Sequence, residues 1–466
     1  MLSVLRSTWP LLAGVMLLMV GNGMQGTLLG IRGAHEGIPT NLMSVVMSAY
    51  FGGFVLGSLI VPGMIQRVGH LRVFAALGSL ISAVLILYAV DTNWIAWVLL
   101  RLVIGFSFCG VYITAESWMN ASAGNETRGR AMSVYFIVQM FGLVISQILM
   151  NVPDPGGWLL FVIPSVLVSL ALTPILLSQV EAPRFESIAP MSIARLYRTS
   201  PLGCVGIFLV GGVFSALLGM GAVWGAVAGL NVREISAFVA AIWVGGLLAQ
   251  YPVGWLSDRM DRRVLIAGLA IIGTLATAAV VLSEPSIWGY LAASALLGGV
   301  ANPIYALLIA YTNDSLDSRD MAAASAGLLL INGGGSVFGP IVTGWLMSAI
   351  GPVGFWVYIL VLLAILSGYA GWRMTRRATP AQDQAFAILS PAATPFGVET
   401  ALAEAGDSTG PLPTQPPADS AAARPHPPDA GSYTPLTAPA TPFEVVFVGP
   451  AGAVLNLSSL SLSAPL

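Results

Sequence analysis

Two ionisable residues, Arg101 and Glu116, lie within one long apolar stretch of the chain. An ionised side chain inside an apolar span is costly, so it usually faces a cavity or a partner. The guanidinium of Arg101 could therefore bind an anionic group or organise proton transfer. The alternative is that this long side chain reaches toward the outer surface and pairs with Asp91.

Glu116 follows Arg101 by 15 residues, which corresponds to about 22 Å along a helix. This spacing predicts a position near the inner end of the helix. An ion pair with a basic residue of an inner loop is favoured there over a role as proton carrier at the membrane midplane. The candidate partners are Arg67, Arg128 and Arg130.

Amide side chains recur in the apolar stretches, where each needs hydrogen-bonding partners. A shared polar cavity would supply those partners, and hydrogen bonds between helices are the alternative for any single residue. Together with Arg101, the candidate cavity residues are Asn22, Gln25, Gln139, Gln147, Gln250, Asn302 and Asn332.

Side chains suited to catalysis or metal binding are scarce. The two cysteines, Cys109 and Cys204, fall in apolar stretches and are typical of buried packing residues. Histidine is limited to His35, His70 and His426. Because the apolar stretches contain no Ser/His, paired-Asp or His-rich constellation, the sequence predicts no catalytic residue, no metal site, no cofactor and no enzyme activity.

A membrane-embedded scaffold must position these side chains. The chain has 466 residues, of which 56% are hydrophobic and only 9% charged, and its mean hydropathy is +0.84. A soluble domain carries about 25% charged residues. About twelve apolar segments are long enough to cross roughly 30 Å of hydrocarbon as helices, and the first is expected to be retained rather than cleaved as a signal. Their approximate centres are Met19, Phe54, Leu80, Phe106, Met140, Leu167, Leu217, Trp243, Thr274, Leu297, Gly333 and Leu362.

Arginine is unevenly distributed between alternate loops. With the amino terminus placed inside, the outer loops keep only Arg32 and Arg233. The positive-inside rule then predicts that both termini lie in the cytoplasm. The inner loops and ends carry Arg6, Arg67, Arg72, Arg128, Arg130, Arg184, Arg195, Arg198, Arg259, Arg262, Arg263, Arg319, Arg373, Arg376 and Arg377.

The second half of the chain repeats features of the first. One six-helix unit therefore occurs twice, and parallel six-helix halves around a midplane site are the architecture of one large group of transporters. A shift of roughly 192 to 193 residues aligns Arg67 with Arg259, Gly105 with Gly298, Tyr112 with Tyr305, Asn120 with Asn313, and Gly142 with Gly335.

Changes in composition predict the domain limits. Residues 1–178 and 201–372 are expected to form the N-terminal and C-terminal six-helix bundles, joined by a polar cytoplasmic linker at residues 179–200. Residues 373–466 are rich in Pro and Ala. Such a segment cannot bury enough apolar area to offset its ordering entropy, so a disordered cytoplasmic tail is predicted.

The most specific string lies between the eighth and ninth predicted spans and reads Gly254-Trp-Leu-Ser-Asp258-Arg259-Met-Asp261-Arg262-Arg263. It is similar to the inner-loop signature of the major facilitator superfamily, Gly-x-Leu-x-Asp-Arg-x-Gly-Arg-Arg, with Asp261 in place of the second Gly. The resemblance implies an all-α membrane protein of twelve helices in two pseudo-symmetric bundles. The first-half loop departs further, with Pro62 for the first Gly and Gln66 for the Asp.

In that family, the acidic residue and the arginines of the signature form ion pairs that hold the cytoplasmic side closed. The resemblance therefore implies that Asp258 and Arg259 are the best candidates for a latch. A solvated loop with no switching role is the alternative, because exposed ion pairs contribute little. The predicted cytoplasmic gate consists of Arg67, Gly69, Arg72, Glu116, Arg128, Arg130, Gly254, Asp258, Arg259 and Arg263.

Further strings narrow the resemblance. Arg101-Leu-Val-Ile-Gly105 resembles the superfamily's Arg-x-x-Gln-Gly element without its Gln, and Tyr112-Ile-Thr-Ala-Glu116 resembles the inner end of its fourth helix. Residues 50–57, 115–117, 128–130 and 250–254 look like the YcaD-like branch of bacterial transporters. That branch has no firmly assigned substrate, so the resemblance does not name the solute.

The leading hypothesis is a secondary transporter of the bacterial inner membrane whose two halves alternate access to a central cavity. Its expected partners are a small organic solute, protons if transport is coupled to them, and the lipid bilayer; no nucleic acid is expected. The protein is expected to be a monomer. The alternative is a membrane-embedded sensor or scaffold that signals through the C-terminal tail.

Overall fold

The computed structural model describes residues 2–122, 128–152, 157–176, 190–283 and 285–376. Within these ranges the side chains are described except at residues 2–8, 120–122, 128–130 and 318–319. The predicted linker up to residue 189 and the predicted tail from residue 377 lie outside the described residues.

The described residues form helices joined by short turns, and twelve of the helical segments are long and apolar enough to cross a membrane. Each predicted centre falls inside one of these twelve spans, and the predicted all-α fold class is confirmed. The helices are α1 (Leu2–His35), α2 (Thr40–Val68), α3 (His70–Val90), α4 (Trp94–Ser122), α5 (Arg128–Leu149), α6 (Leu159–Leu176), α7 (Ile193–Thr199), α8 (Pro201–Ser215), α9 (Gly221–Val227), α10 (Val232–Ser257), α11 (Arg262–Ser283), α12 (Ile287–Asn313), α13 (Ser318–Ile350) and α14 (Val353–Met374).

The seventh span consists of α8, a π-helical turn at Ala216–Met220, and α9. Single π-helical turns interrupt the regular hydrogen-bond pattern of a helix and occur frequently at functional sites. Leu218 and Gly219 of this turn line the central cavity described below. The irregular turn therefore lies where one half of the protein meets that cavity.

The described part of the predicted linker contains the short helix α7. The side chain of Ser192 caps this helix by accepting a hydrogen bond from the backbone N–H of Arg195. Arg195 forms an exposed ion pair with Asp320 of α13 at 2.5 Å, and the backbone N–H of Met191 donates to the carbonyl oxygen of Ala323 at 2.7 Å. The segment is thus attached to α13, and the domain limits stay a prediction.

The two halves repeat the same close helix contact. A Cβ atom at Gly105 of α4 would overlap the carbonyl oxygen of Tyr50 in α2, and a Cβ atom at Gly298 of α12 would overlap that of Ile242 in α10. Gly105 and Gly298 are 193 residues apart and Tyr50 and Ile242 are 192 residues apart, so both pairs follow the repeat seen in the sequence. The pseudo-symmetry expected from the sequence is therefore present in the packing.

Arginines cluster at one end of the bundle, where α2 meets α3 and α10 meets α11. We call it the arginine-rich end. The described arginines at these two turns are Arg67, Arg72, Arg259, Arg262 and Arg263.

The two halves contact each other at the opposite end of the bundle. A Cβ atom at Gly30, near the end of α1, would lie 2.8 Å from Cβ of Ala222 in α9. Gly344 of α13 lies directly against Ser44, near the start of α2. The two halves are therefore in direct contact on that side.

Gly69 forms the turn between α2 and α3 at the arginine-rich end. Its backbone has φ 85° and ψ 161°, a conformation that is essentially restricted to glycine. Its N–H donates to the carbonyl oxygen of Ile65 at 2.8 Å and so ends α2.

We expect Gly69→Ala to lower the free energy of unfolding by about 1–3 kcal/mol, because the new side chain must adopt this unfavourable backbone conformation. The measurement is thermal unfolding of the purified protein in detergent. Gly63→Ala is the matched control, since Gly63 lies in α2, the helix that Gly69 ends, and has open space around its Cβ position. This substitution should be neutral or slightly stabilising. Equal losses at the two positions would contradict the explanation.

Candidate solute cavity

A cavity lies between the two halves, near the midpoints of the spans that line it. The space between its side chains amounts to about 1100 Å³, including space continuous with solvent. Helices α1, α2, α4 and α5 line one side, and the seventh span, α10 and α13 line the other. The polar side chains of the lining belong to Asn22, Gln25, Thr27, Tyr50, Ser58, Arg101, Tyr112, Gln139, Gln147, Asn332 and Ser336.

Six of the eight predicted cavity residues line this space, and Gln250 and Asn302 do not. Asn302 of α12 lies close to Gly246 of α10 and donates to the carbonyl oxygen of Gly298 in its own helix at 3.0 Å. Gln250 follows Gly246 by four residues on the same helix face and is also buried. Asn302 thus lies at the contact between α10 and α12, outside the described lining, and the solute-binding role of all eight residues stays a prediction. The six in the lining are Asn22, Gln25, Arg101, Gln139, Gln147 and Asn332.

Arg101 turns into the protein, and only 3% of the residue is exposed. Its terminal nitrogens donate to Oε1 of Gln25 at 2.6 Å and to Sδ of Met47 at 2.9 Å. The guanidinium carbon lies 5.1 Å from the centre of the Tyr50 ring, a favourable cation–π distance. The carboxylate of Asp91, the alternative partner, instead accepts a hydrogen bond from the backbone N–H of Asn93.

Hydrogen bonds connect the polar lining between helices. Nε2 of Gln25 donates to Oδ1 of Asn22 at 3.1 Å, and Nδ2 of Asn22 donates to the hydroxyl oxygen of Tyr112 at 2.8 Å. Oγ1 of Thr27 donates to Oε1 of Gln147 at 3.0 Å, which joins α1 to α5. Because connected polar groups in a low-dielectric interior hold each other in position, these bonds preorganise the cavity wall.

Aromatic rings form the apolar part of the lining on both sides of the cavity. In the first half, the rings of Phe54 and Tyr112 lie 6.1 Å apart. In the second half, Phe214 and Trp243 meet edge to face with their ring centres 6.0 Å apart. A flat apolar group placed in the cavity could therefore contact aromatic surfaces of both halves.

Four predicted gate residues are exposed at the arginine-rich end: Arg67, Arg72, Asp258 and Arg259. The guanidinium of Arg259 lies 4.1 Å from the centre of the Trp255 ring and donates to the carbonyl oxygen of Trp255 at 2.9 Å. The structure thus brings this group to one end of the bundle. Its role as a latch stays a prediction.

The other predicted gate residues differ in their surroundings. Glu116 is fully buried in α4, and Gly254 is buried in α10. Arg263 forms an ion pair with Asp261 at 2.8 Å. Gly69 forms the turn between α2 and α3. The side chains of Arg128 and Arg130 are not among those that the structure describes.

Sequence reasoning missed a buried ion pair, Arg262 with Asp314. Their charged atoms are 2.5 Å apart, and 2% of each side chain is exposed. Both residues belong to the second half, so the pair joins the start of α11 to the end of α12 within that half. At the equivalent helix ends of the first half, His70 and Ser117 share a hydrogen bond of 2.8 Å. The available signal was an aspartate directly after a predicted span, on the side that carries the arginines.

Sequence comparison relates the chain to a transporter family. The profile of the Major Facilitator Superfamily matches residues 11–247 and 202–451. A protein described as uncharacterized MFS-type transporter YcaD, from Escherichia fergusonii, is 27% identical over 379 residues, covering 77% of this chain and 95% of the relative. A relative of the same description from Salmonella typhimurium is 26% identical over 377 residues, with the same coverage. The resemblance inferred from the sequence strings is confirmed.

Structural comparison leads to the same fold. A mutant of the nucleoside transporter NupG superimposes with a TM-score of 0.68 at 13% identity, covering 79% of this chain and 99% of that one. A bacterial homologue of the human lysosomal transporter Spinster superimposes with a TM-score of 0.64 at 16% identity, covering 80% of this chain and 98% of that one. At these identities the likeness is one of fold alone.

Proposed function

This chain belongs to the major facilitator superfamily, and from that premise we propose that it is a secondary transporter moving a small organic solute across the bacterial inner membrane by alternating access. The observation that carries the proposal is the polar and aromatic cavity lined by both halves at mid-span. A solute bound there contacts both halves. Rocking of one half against the other then exposes the solute to either side in turn.

The arginine-rich end is proposed to face the cytoplasm, in keeping with the positive-inside rule. In that orientation, the contacts of Gly30 with Ala222 and of Ser44 with Gly344 close the cavity toward the outside. The structure then corresponds to an inward-facing state. To face outward, the protein must separate these contacts and bring the halves together at the arginine-rich end.

The predicted gate residues are proposed to act in that second step. Asp258 and Arg259 are exposed, as expected for a latch in the state that is open on its side. Exposed charges change partners at little cost, whereas a buried pair such as Arg262–Asp314 is costly to break. We therefore assign switching to the exposed group and structural support of the second half to the buried pair.

A disulfide between residues 47 and 219 is expected to stop transport. An ideal Cβ atom at Gly219 lies 3.7 Å from Cβ of Met47, within the range of about 3.5–4.5 Å that a disulfide requires. In a background with Cys109→Ala and Cys204→Ala, oxidised Met47→Cys/Gly219→Cys holds α2 to the seventh span, so the halves cannot separate there. Flux should fall to the level of protein-free liposomes and return after reduction.

The assay uses purified protein in liposomes with a library of small organic solutes detected by mass spectrometry. The reduced double variant is its own control, and the cysteine-free protein treated with oxidant controls for oxidation. Flux that persists in fully cross-linked protein would contradict alternating access. If no solute moves through folded, uncross-linked protein, transport itself is the wrong function. The relatives named above are described as transporters, so the sensor or scaffold alternative is not favoured.

A further inference from the structure

Arg101 brings a single positive charge to the cavity. Among the described residues of the lining it is the only charged one, and it is almost completely buried. Its partners are the Gln25 amide, the Met47 thioether and the Tyr50 ring, which are all neutral. A nearby negative charge strongly stabilises a buried cation. The cavity is therefore electrostatically suited to an anion.

The guanidinium retains hydrogen-bonding capacity for that anion. It has five N–H donors, and its Nε is buried without a hydrogen-bond partner. The sulfur of Met47 is a weak acceptor, which a carboxylate oxygen can replace. A carboxylate also matches the planar fork of arginine and accepts two parallel hydrogen bonds. One guanidinium balances one carboxylate, whereas a dianion would leave a negative charge among neutral walls.

The rest of the cavity indicates what carries the carboxylate. Phe54 and Tyr112 on one side and Phe214 and Trp243 on the other present aromatic surface. Pockets that bind organic ligands combine apolar walls with a few placed polar groups, and the lining of this cavity has that composition. An inorganic anion would leave the aromatic walls uncovered.

We propose that the solute is an organic monocarboxylate with a flat, largely apolar body, and that Arg101 binds its carboxylate. This substrate class rests on the proposed transport function. The body lies between the aromatic surfaces of the two halves, so the charge and the ring are recognised by different parts of the cavity.

The first test uses the wild-type protein and needs no variant. Benzoate and phenylacetate are compared with their matched amides, benzamide and phenylacetamide, and with benzylamine, potassium chloride and potassium phosphate. We expect the two carboxylates to raise the unfolding temperature of the purified protein and to enter liposomes that contain it. The amides and the amine, which have the same rings without the negative charge, should leave the unfolding temperature unchanged and should enter these liposomes no faster than protein-free liposomes.

The second test changes the charge of the site. Arg101→Gln should weaken carboxylate binding roughly ten- to a hundredfold, the effect of losing hydrogen bonds between charged groups, while Arg101→Lys should weaken it less. Arg233→Gln is the matched control because Arg233 is exposed at the start of α10, away from the cavity. The carboxylate affinity of the Arg233→Gln variant should equal that of the wild-type protein.

The outcomes separate the substrate class from the function. If amides bind and move as well as carboxylates, or if Arg101→Gln keeps carboxylate affinity, the monocarboxylate proposal is wrong while transport stands. If only chloride or phosphate binds, the organic part is wrong. If the folded protein moves no member of the wider solute library, the proposed transport function fails as well.

Discussion

Replacing Asp314 with alanine is expected to lower the free energy of unfolding by about 3–5 kcal/mol, the cost of leaving a buried charge without its partner. Arg262 and Asp314 are each only 2% exposed at their side chains. Without the carboxylate, the guanidinium keeps its charge in a site that water hardly reaches. The measurement is the unfolding of the purified protein in detergent micelles, induced by heat and, separately, by a denaturant.

Asp320→Ala is the matched control, because its ion pair with Arg195 is largely exposed, at 31% and 60% of the side chains. An exposed pair contributes about 1 kcal/mol or less. The double variant Arg262→Met/Asp314→Leu should regain most of the lost stability, since apolar side chains of similar volume often replace a buried pair without loss. If Asp314→Ala unfolds like the wild type, the pair does not support the second half.

Most of the fold could be predicted because the bilayer imposes one requirement on every span. Each must satisfy its backbone groups internally and present about 20 mostly apolar residues, so the apolar stretches alone predicted twelve spans. Even the seventh span fits, although its predicted centre, Leu217, lies in a π-helical turn. Hydropathy is insensitive to such a local change in hydrogen bonding, so the turn itself could not be foreseen.

The candidate site was predicted only in part, because residue type does not reveal which way a helix is rotated. Asn22 and Asn302 are both amides within apolar spans, yet one lines the cavity and the other lies in the contact of α10 with α12. Arg262 shows the same limit at the arginine-rich end. It lies three residues after the exposed Arg259 in the sequence, and only the packing of α11 on α12 buries it against Asp314.

The repeat found in the sequence is matched in the structure by close contacts between the same helices of each half. A Cβ atom at Gly53 would overlap the carbonyl oxygen of Leu102, and one at Gly245 would overlap that of Ala295. These two contacts obey the same shift as those of Gly105 and Gly298. Each half therefore joins its second and fourth spans through two glycines at matching positions, with backbone directly against backbone.

Gly105→Leu and Gly298→Leu are accordingly expected to destabilise the protein by similar amounts, about 3 kcal/mol or more, at the upper end of the cost of overpacking. At both positions the new side chain meets a carbonyl oxygen of the neighbouring helix, which cannot move aside as a flexible side chain could. The helices of the affected half must separate and lose packing along their length.

Gly268→Leu is the control, because the Cβ position of Gly268 in α11 has open space around it. The unfolding temperature of this variant should equal or exceed that of the wild type, because leucine has a higher helix propensity than glycine. A large loss of stability for Gly105→Leu with none for Gly298→Leu would mean that this contact does not stabilise both halves in the same way.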